Sequence, residues 1–161
     1  MPIRPDSVRL EPGQARRLGV DLFNYVWTLL EREDRSERES ALMVHAAHAS
    51  RFFWEEPGDA VNHARGEWQI SRVYATLERA EAAIHHAREC LNICEDNGIG
   101  DFDIAYAYEA LARAYAVAGD AKSAEEFEGK ARAAAGSVAD KDDKDKLLAD
   151  LETLPGKADG V

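Results

Sequence analysis

Apolar residues return along this chain every three or four positions, in blocks separated by short polar or glycine-bearing breaks. That period belongs to the α-helix, and no segment reads as a strand. A first helix is predicted from about Gln14 to Arg32. Leu18, Leu22, Val26 and Leu29 form one stripe along it, and Phe23, Trp27 and Leu30 form a second beside the first. A face that wide calls for burial on two sides. The polar run EREDRSERES interrupts the pattern. Within it, Ser36 followed by Glu39 has the form of a capping box that starts a second helix. The apolar stripe of that helix reads Leu42, His45, Ala46, Ala49 and Phe53, and it stops ahead of Pro57-Gly58.

Asp59 is the expected N-cap of a third helix, which runs through Trp68 and Tyr74 to about Thr76. A fourth extends from near Arg79 to Asn97-Gly98, where glycine marks the stop. Asp101 is placed as the cap of a fifth, ending at Gly119, and Asp120 as the cap of a sixth that carries Ala124, Phe127, Ala131 and Ala134. A short seventh helix spans Lys141 to Leu151 with Leu147, Leu148 and Leu151, followed by Leu154 and Pro155. The expected organisation is a flexible lead-in over 1–12, one helical domain over 13–154 and a tail over 155–161. Inside the domain lie hairpins at 13–56, 59–97 and 101–138 and a closing helix at 141–152.

A chain of 161 residues fits one domain with a real core. The composition, 45% hydrophobic and 32% charged, is that of a globular protein, and its alanine-rich apolar set favours helix over strand. The net charge of −11 opposes binding to a phosphate backbone or an anionic membrane, so neither nucleic acid nor membrane is an expected partner. No apolar run is long enough for a transmembrane helix and the first residues lack a signal-peptide core, which makes a cytoplasmic location the default expectation.

The third and fourth helices resemble the fifth and sixth in sequence. Tyr74 and Tyr115, Ala83 and Ala124, and Cys90 and Ala131 are each 41 positions apart. Leu111, Ala112, Tyr115, Gly119-Asp120, Ala124 and Ala131 follow the order of large apolar, small, aromatic, turn, small and small. Ile70, Ser71, Tyr74, Ala83 and Cys90 repeat it, with Glu78 in place of the turn glycine. This arrangement resembles the tetratricopeptide repeat, with a longer period and a degenerate first hairpin. The resemblance implies an all-α, right-handed stack of antiparallel helix hairpins of about seven helices, in which small residues let helices approach and aromatics fill the gaps between hairpins.

It also implies a function. In that family the first helix of each hairpin lines a concave groove that holds a protein or peptide segment. The corresponding positions here are Arg65, Trp68 and Arg72 on the third helix and Tyr106, Glu109 and Arg113 on the fifth. Three arginines interleaved with aromatics suit an acidic peptide, a chain terminus or an anionic small molecule, through planar guanidinium forks and stacking. The alternative is that these arginines pair with Glu67, Glu78 and Glu109 in salt-bridge networks. The lysine and asparagine set with which some members clamp a terminal carboxylate is not matched.

Two further constellations bear on chemistry. His45 and His48 on the second helix, with His63 and Glu67 on the third, could converge into a zinc or iron site and support a metal-dependent enzyme, although the spacing is not HExxH. A hydrogen-bonded core histidine at His45 is the plainer reading. Cys90 and Cys94 lie one helical turn apart, either as a redox or metal pair or as two small core residues. No phosphate-cradling glycine loop, dinucleotide fingerprint or nucleophile elbow occurs, so neither cofactor nor catalytic residue is assigned. The doubled apolar face of the first helix, with Phe23 and Trp27, offers a homodimer contact.

Overall fold

The computed structural model describes residues 10–157, and every regular element among them is an α-helix. There are seven: α1 (Pro12–Leu30), α2 (Glu37–Phe53), α3 (Ala60–Thr76), α4 (Ala80–Asp96), α5 (Asp101–Val117), α6 (Ala121–Ala135) and α7 (Lys141–Glu152). Residues 1–9 of the lead-in and 158–161 of the tail lie outside the described residues. None of these helices is long and apolar enough to cross a membrane.

Consecutive helices pack as hairpins, α1 with α2, α3 with α4 and α5 with α6. The first helices also contact one another in turn, α1 to α3, α3 to α5 and α5 to α7. They form an inner layer, and α2, α4 and α6 form an outer one. Because α5 lies among α3, α4, α6 and α7, it is buried nearly all round, from Ala105 to Ala114 with only Tyr108 partly exposed. This is why it shows little amphipathic contrast.

The helix ends follow local chemistry. The Ser36–Glu39 capping box forms, with Ser36 Oγ accepting from Glu39 N at 3.2 Å and Glu39 Oε2 accepting from Ser36 N at 2.9 Å. Asp59 caps α3 through Asn62 N at 2.9 Å, and Asp120 caps α6 through Ser123 N at 3.1 Å. Asp101 does not cap α5. It is the first helical residue, with φ of 53°, and its carboxylate points across to Ala139 N. Gly100 occupies the N-cap position instead, without a side-chain cap.

Helices α3, α4 and α5 end alike. In each, a residue of positive φ (Glu78, Gly98 and Gly119) is followed by an N–H that bonds five residues back: Arg79 to Tyr74 O at 2.9 Å, Ile99 to Cys94 O at 2.9 Å and Asp120 to Tyr115 O at 3.0 Å. These are Schellman ends.

The N-terminal hairpin buries part of the predicted stripes, Val26, Leu29 and Ala46, and leaves another part toward solvent. Leu18 and Leu42 are 37% and 40% exposed, while Ala15, Gly19, Val26 and Leu29 of α1 and Met43, Ala46, Ala47 and Ser50 of α2 are buried. Gly19 is part of this packing: the Trp54 indole lies against its Cα, where a methyl group would overlap the ring, and Ser50 Oγ donates to Gly19 O at 2.6 Å. The close approach at Gly19 accompanies a packing in which Leu18 and Leu42 lie outside the buried seam. His45 is likewise exposed and is not a core residue.

Candidate binding groove

The inner layer leaves a groove with α3 and α5 as its floor, α1 as one wall and α7 as the other. It holds two cavities that share Trp27. The first, of about 390 Å³, is lined by Phe23, Trp27, Trp68, Phe102 and Tyr106, with Arg65, Asp103, Asp143, Lys146 and Asp150 at its rim. The second, of about 600 Å³, lies between Trp27 and Leu30 of α1 and Arg72, Thr76, Arg113 and Pro155.

The aromatic cavity is built by helical spacing. Trp68 of α3 sits between Trp27 of α1, at 5.5 Å between ring centroids, and Tyr106 of α5, at 5.6 Å and nearly perpendicular. Tyr106 continues to Phe102, four residues earlier on α5, at 4.6 Å. On α7, Asp143, Lys146 and Asp150 share the face turned to the cavity, while Leu147 and Leu151 enter the core. The Lys146 ammonium lies 5.7 Å from the centroid of the Trp27 ring.

The six groove positions are brought together, but most of their polar groups are already engaged. Arg65 grips Asp103 through Nε at 2.8 Å and Nη2 at 3.1 Å. Glu109 is wholly buried and takes Arg113 at 2.7 Å and Arg72 at 3.5 Å. Arg113 also donates to Asp150 O and Thr153 Oγ1, both at 2.9 Å, and so caps the C-terminal end of α7. Tyr106 is 4% exposed and donates its hydroxyl to Asp150 Oδ2 at 2.7 Å. Burial, reinforced by that carboxylate, raises the phenol well above its usual range. Burial lowers the Arg72 guanidinium, against the pull of Glu109, and its Nη1 has no hydrogen-bond acceptor.

Salt bridging thus prevails over an open arginine face. Glu109 serves two arginines, whereas Arg65 turns to Asp103, and Glu67 pairs with His86 and Arg51. The three arginines do not surround one anion, because Arg65 borders the first cavity while Arg72 and Arg113 border the second. Phe23 and Trp27 face the groove rather than an outer surface, so the apolar residues α1 shows to solvent are Leu18, Val20 and Tyr25.

The histidines do not converge on a metal-binding geometry, and no such group of three or more His, Cys, Asp or Glu occurs among the described residues. His63 Nε2 donates to Trp54 O and Glu55 O at the end of α2, at 3.1 and 3.2 Å. His48 Nε2 is hydrogen-bonded to the Tyr74 hydroxyl at 2.9 Å. Glu67 accepts from His86 Nδ1 at 2.6 Å and from Arg51 Nε at 3.1 Å. Burial alone would raise the Glu67 carboxyl, but His86 and Arg51 outweigh it and hold it below its usual value. Cys90 and Cys94 are free thiols buried in the core. Hydrogen bonding with Cys94 and burial raise the Cys90 thiol, and the same contact lowers that of Cys94.

Sequence reasoning missed Phe102, Asp143, Lys146 and Asp150. The signal was present in α7, where 143, 146 and 150 fall at helical spacing on the face beside Leu147 and Leu151. No family model, curated protein or solved structure matches this chain.

Proposed function

We propose that the protein is a tetratricopeptide-like interaction module, and that the groove between α1 and α7 holds a segment of a partner protein. The observation that carries this reading is the aromatic cavity on the concave side. Phe23, Trp27, Trp68, Phe102 and Tyr106, drawn from three helices, leave about 390 Å³ open beside their ring contacts. Aromatic side chains in a partly enclosed pocket are the usual anchors of protein–peptide contacts, and a cavity of this size accommodates side chains of a docked segment. The 41-residue correspondence between the α3–α4 and α5–α6 hairpins, with their matching Schellman ends, supports the repeat-family reading. A cytoplasmic location fits the two unpaired thiols at Cys90 and Cys94.

The three tryptophans provide the test. Trp27 and Trp68 line the cavity, whereas Trp54 is buried between α1 and α2. Peptides selected from a random library on the full chain should shift the indole N–H resonances of Trp27 and Trp68 and leave that of Trp54 in place. Trp68→Ala, folded by circular dichroism, should lose about tenfold or more in affinity, the scale of an aromatic anchor. Selected peptides that bind this variant like the wild type would place the partner elsewhere.

A further inference from the structure

The engagement of the arginines changes which partner the groove suits. Around the aromatic cavity the rim carries Arg65 and Lys146 against Asp103, Asp143 and Asp150. Arg65 and Asp103 satisfy each other. That leaves one ammonium facing two carboxylates. Asp150 spends one oxygen on the Tyr106 hydroxyl, and among the described residues the Asp143 carboxylate accepts no hydrogen bond, although it acts on Arg65 through space.

Lys146 forms no ion pair among the described residues either, and its ammonium rests over the Trp27 ring. The chain's own lysine therefore sits where a cation is favoured twice, by the π-face of Trp27 and by a rim on which three carboxylates outnumber two cations. Its tether is a flexible side chain on an exposed helix face, so a competing cation displaces it at little cost.

We propose that the aromatic cavity recognises a lysine or arginine side chain of the docked segment, taking the place of Lys146. This inference rests on the groove reading above and names the chemistry of the partner: a basic segment, contrary to the acidic one that the arginines suggest in sequence. Charge complementarity extends beyond the cavity, since the whole chain carries −11.

The experiment uses three twelve-residue peptides identical except for two central positions, occupied by Arg, Gln or Glu. Each is titrated into the full chain while the Trp27 and Trp68 indole N–H resonances are followed. Affinity should fall in the order Arg, Gln, Glu, with roughly a fivefold span between the extremes. Lys146→Ala should tighten the Arg peptide about threefold by vacating the ring, and Asp143→Asn should weaken it about threefold. Equal shifts from all three peptides, or preference for the Glu peptide, would overturn the cation assignment and leave the groove standing. So would silence from all three when library-selected peptides still move Trp27 and Trp68. If the selected peptides also leave those two resonances unmoved, the groove itself is refuted together with its cation preference.

Discussion

The joint between α2 and α3 and the joint between α4 and α5 solve one packing problem with different residues. In the second, Tyr115 stacks on Phe127 at 5.7 Å and receives a hydrogen bond from Arg88 of the preceding outer helix at 3.1 Å. Forty-one residues earlier, Tyr74 stacks on His86 at 5.8 Å and is bonded to His48 of its own preceding outer helix at 2.9 Å. The turn that follows carries Gly119 in one copy and Glu78 in the other, both at positive φ. Geometry is set by position in the repeat, while chemistry is free to differ. The second joint is apolar or permanently charged, and the first is titratable.

Arg72 and Arg113 sharpen the contrast, being equivalent residues that reach the same carboxylate. Arg113 is completed by carbonyls at the end of α7, whereas Arg72 borders the second cavity and its buried Nη1 meets Glu109 only as an ion pair at 3.5 Å. The symmetry between hairpins therefore breaks where α7 docks. Glu109 holds the two copies together, and it offers the largest expected effect. Glu109→Ala leaves two guanidiniums partly buried without a counter-charge and should cost about 3–5 kcal/mol in urea unfolding. A loss under about 1 kcal/mol would mean that this network contributes only as a surface ion pair does.

Next in size is the turn. A non-glycine residue in the left-handed region costs roughly 1–2 kcal/mol, and glycine there gives back part of this in unfolded-chain entropy. Glu78→Gly should therefore stabilise the protein by about 0.5–1 kcal/mol, and Gly119→Ala should destabilise it by about 1 kcal/mol. Nothing crowds a methyl group at Gly119, so the backbone alone sets the second value. Opposite signs in denaturation midpoints would confirm that the two turns are equivalent, and matching signs would undo the comparison.

Much of this was legible in the sequence because it is local. The Ser36, Asp59 and Asp120 caps, the Gly98 and Gly119 stops and the 41-residue offset all rest on near neighbours or on periodicity. What escaped depends on approach between distant segments. Gly19 carries no side chain to join a stripe, yet the Trp54 ring needs that gap, and Leu18, Leu42 and His45 stand exposed. The groove was located by register on α3 and α5, but its α7 wall could not be, since α7 lies outside the repeat. Likewise, the spacing of Arg72, Glu109 and Arg113 on two helices did not show that they close on each other in a buried site.

The smallest expected effect separates the two joints by pH. Burial lowers the His48 imidazole below its ordinary value of 6.5, and the neighbouring His86 and His45 add to this while Glu67 opposes it. As pH falls through that value, the unfolded chain takes up more protons than the folded one. Stability is therefore fully present above about 6.5 and is lost progressively as pH drops toward the folded pKa. The outer edge of the His48 ring stays in water, so the slope should be well below the roughly 1.4 kcal/mol per pH unit of a full proton difference. His48→Gln keeps a partner for the Tyr74 hydroxyl and removes the titration, so its urea midpoint should change less than that of the wild type between pH 7.5 and 5.5. Arg88→Gln alters the matching contact at Tyr115 and should shift the midpoint equally at every pH. Parallel curves for His48→Gln and wild type would show that the first joint is no more titratable than the second. Below about pH 4.5 a separate loss is expected from Glu67, whose carboxyl is held low by His86 and Arg51 and whose contribution disappears as it protonates. Because that loss persists in His48→Gln, the two windows report on different contacts of the same joint.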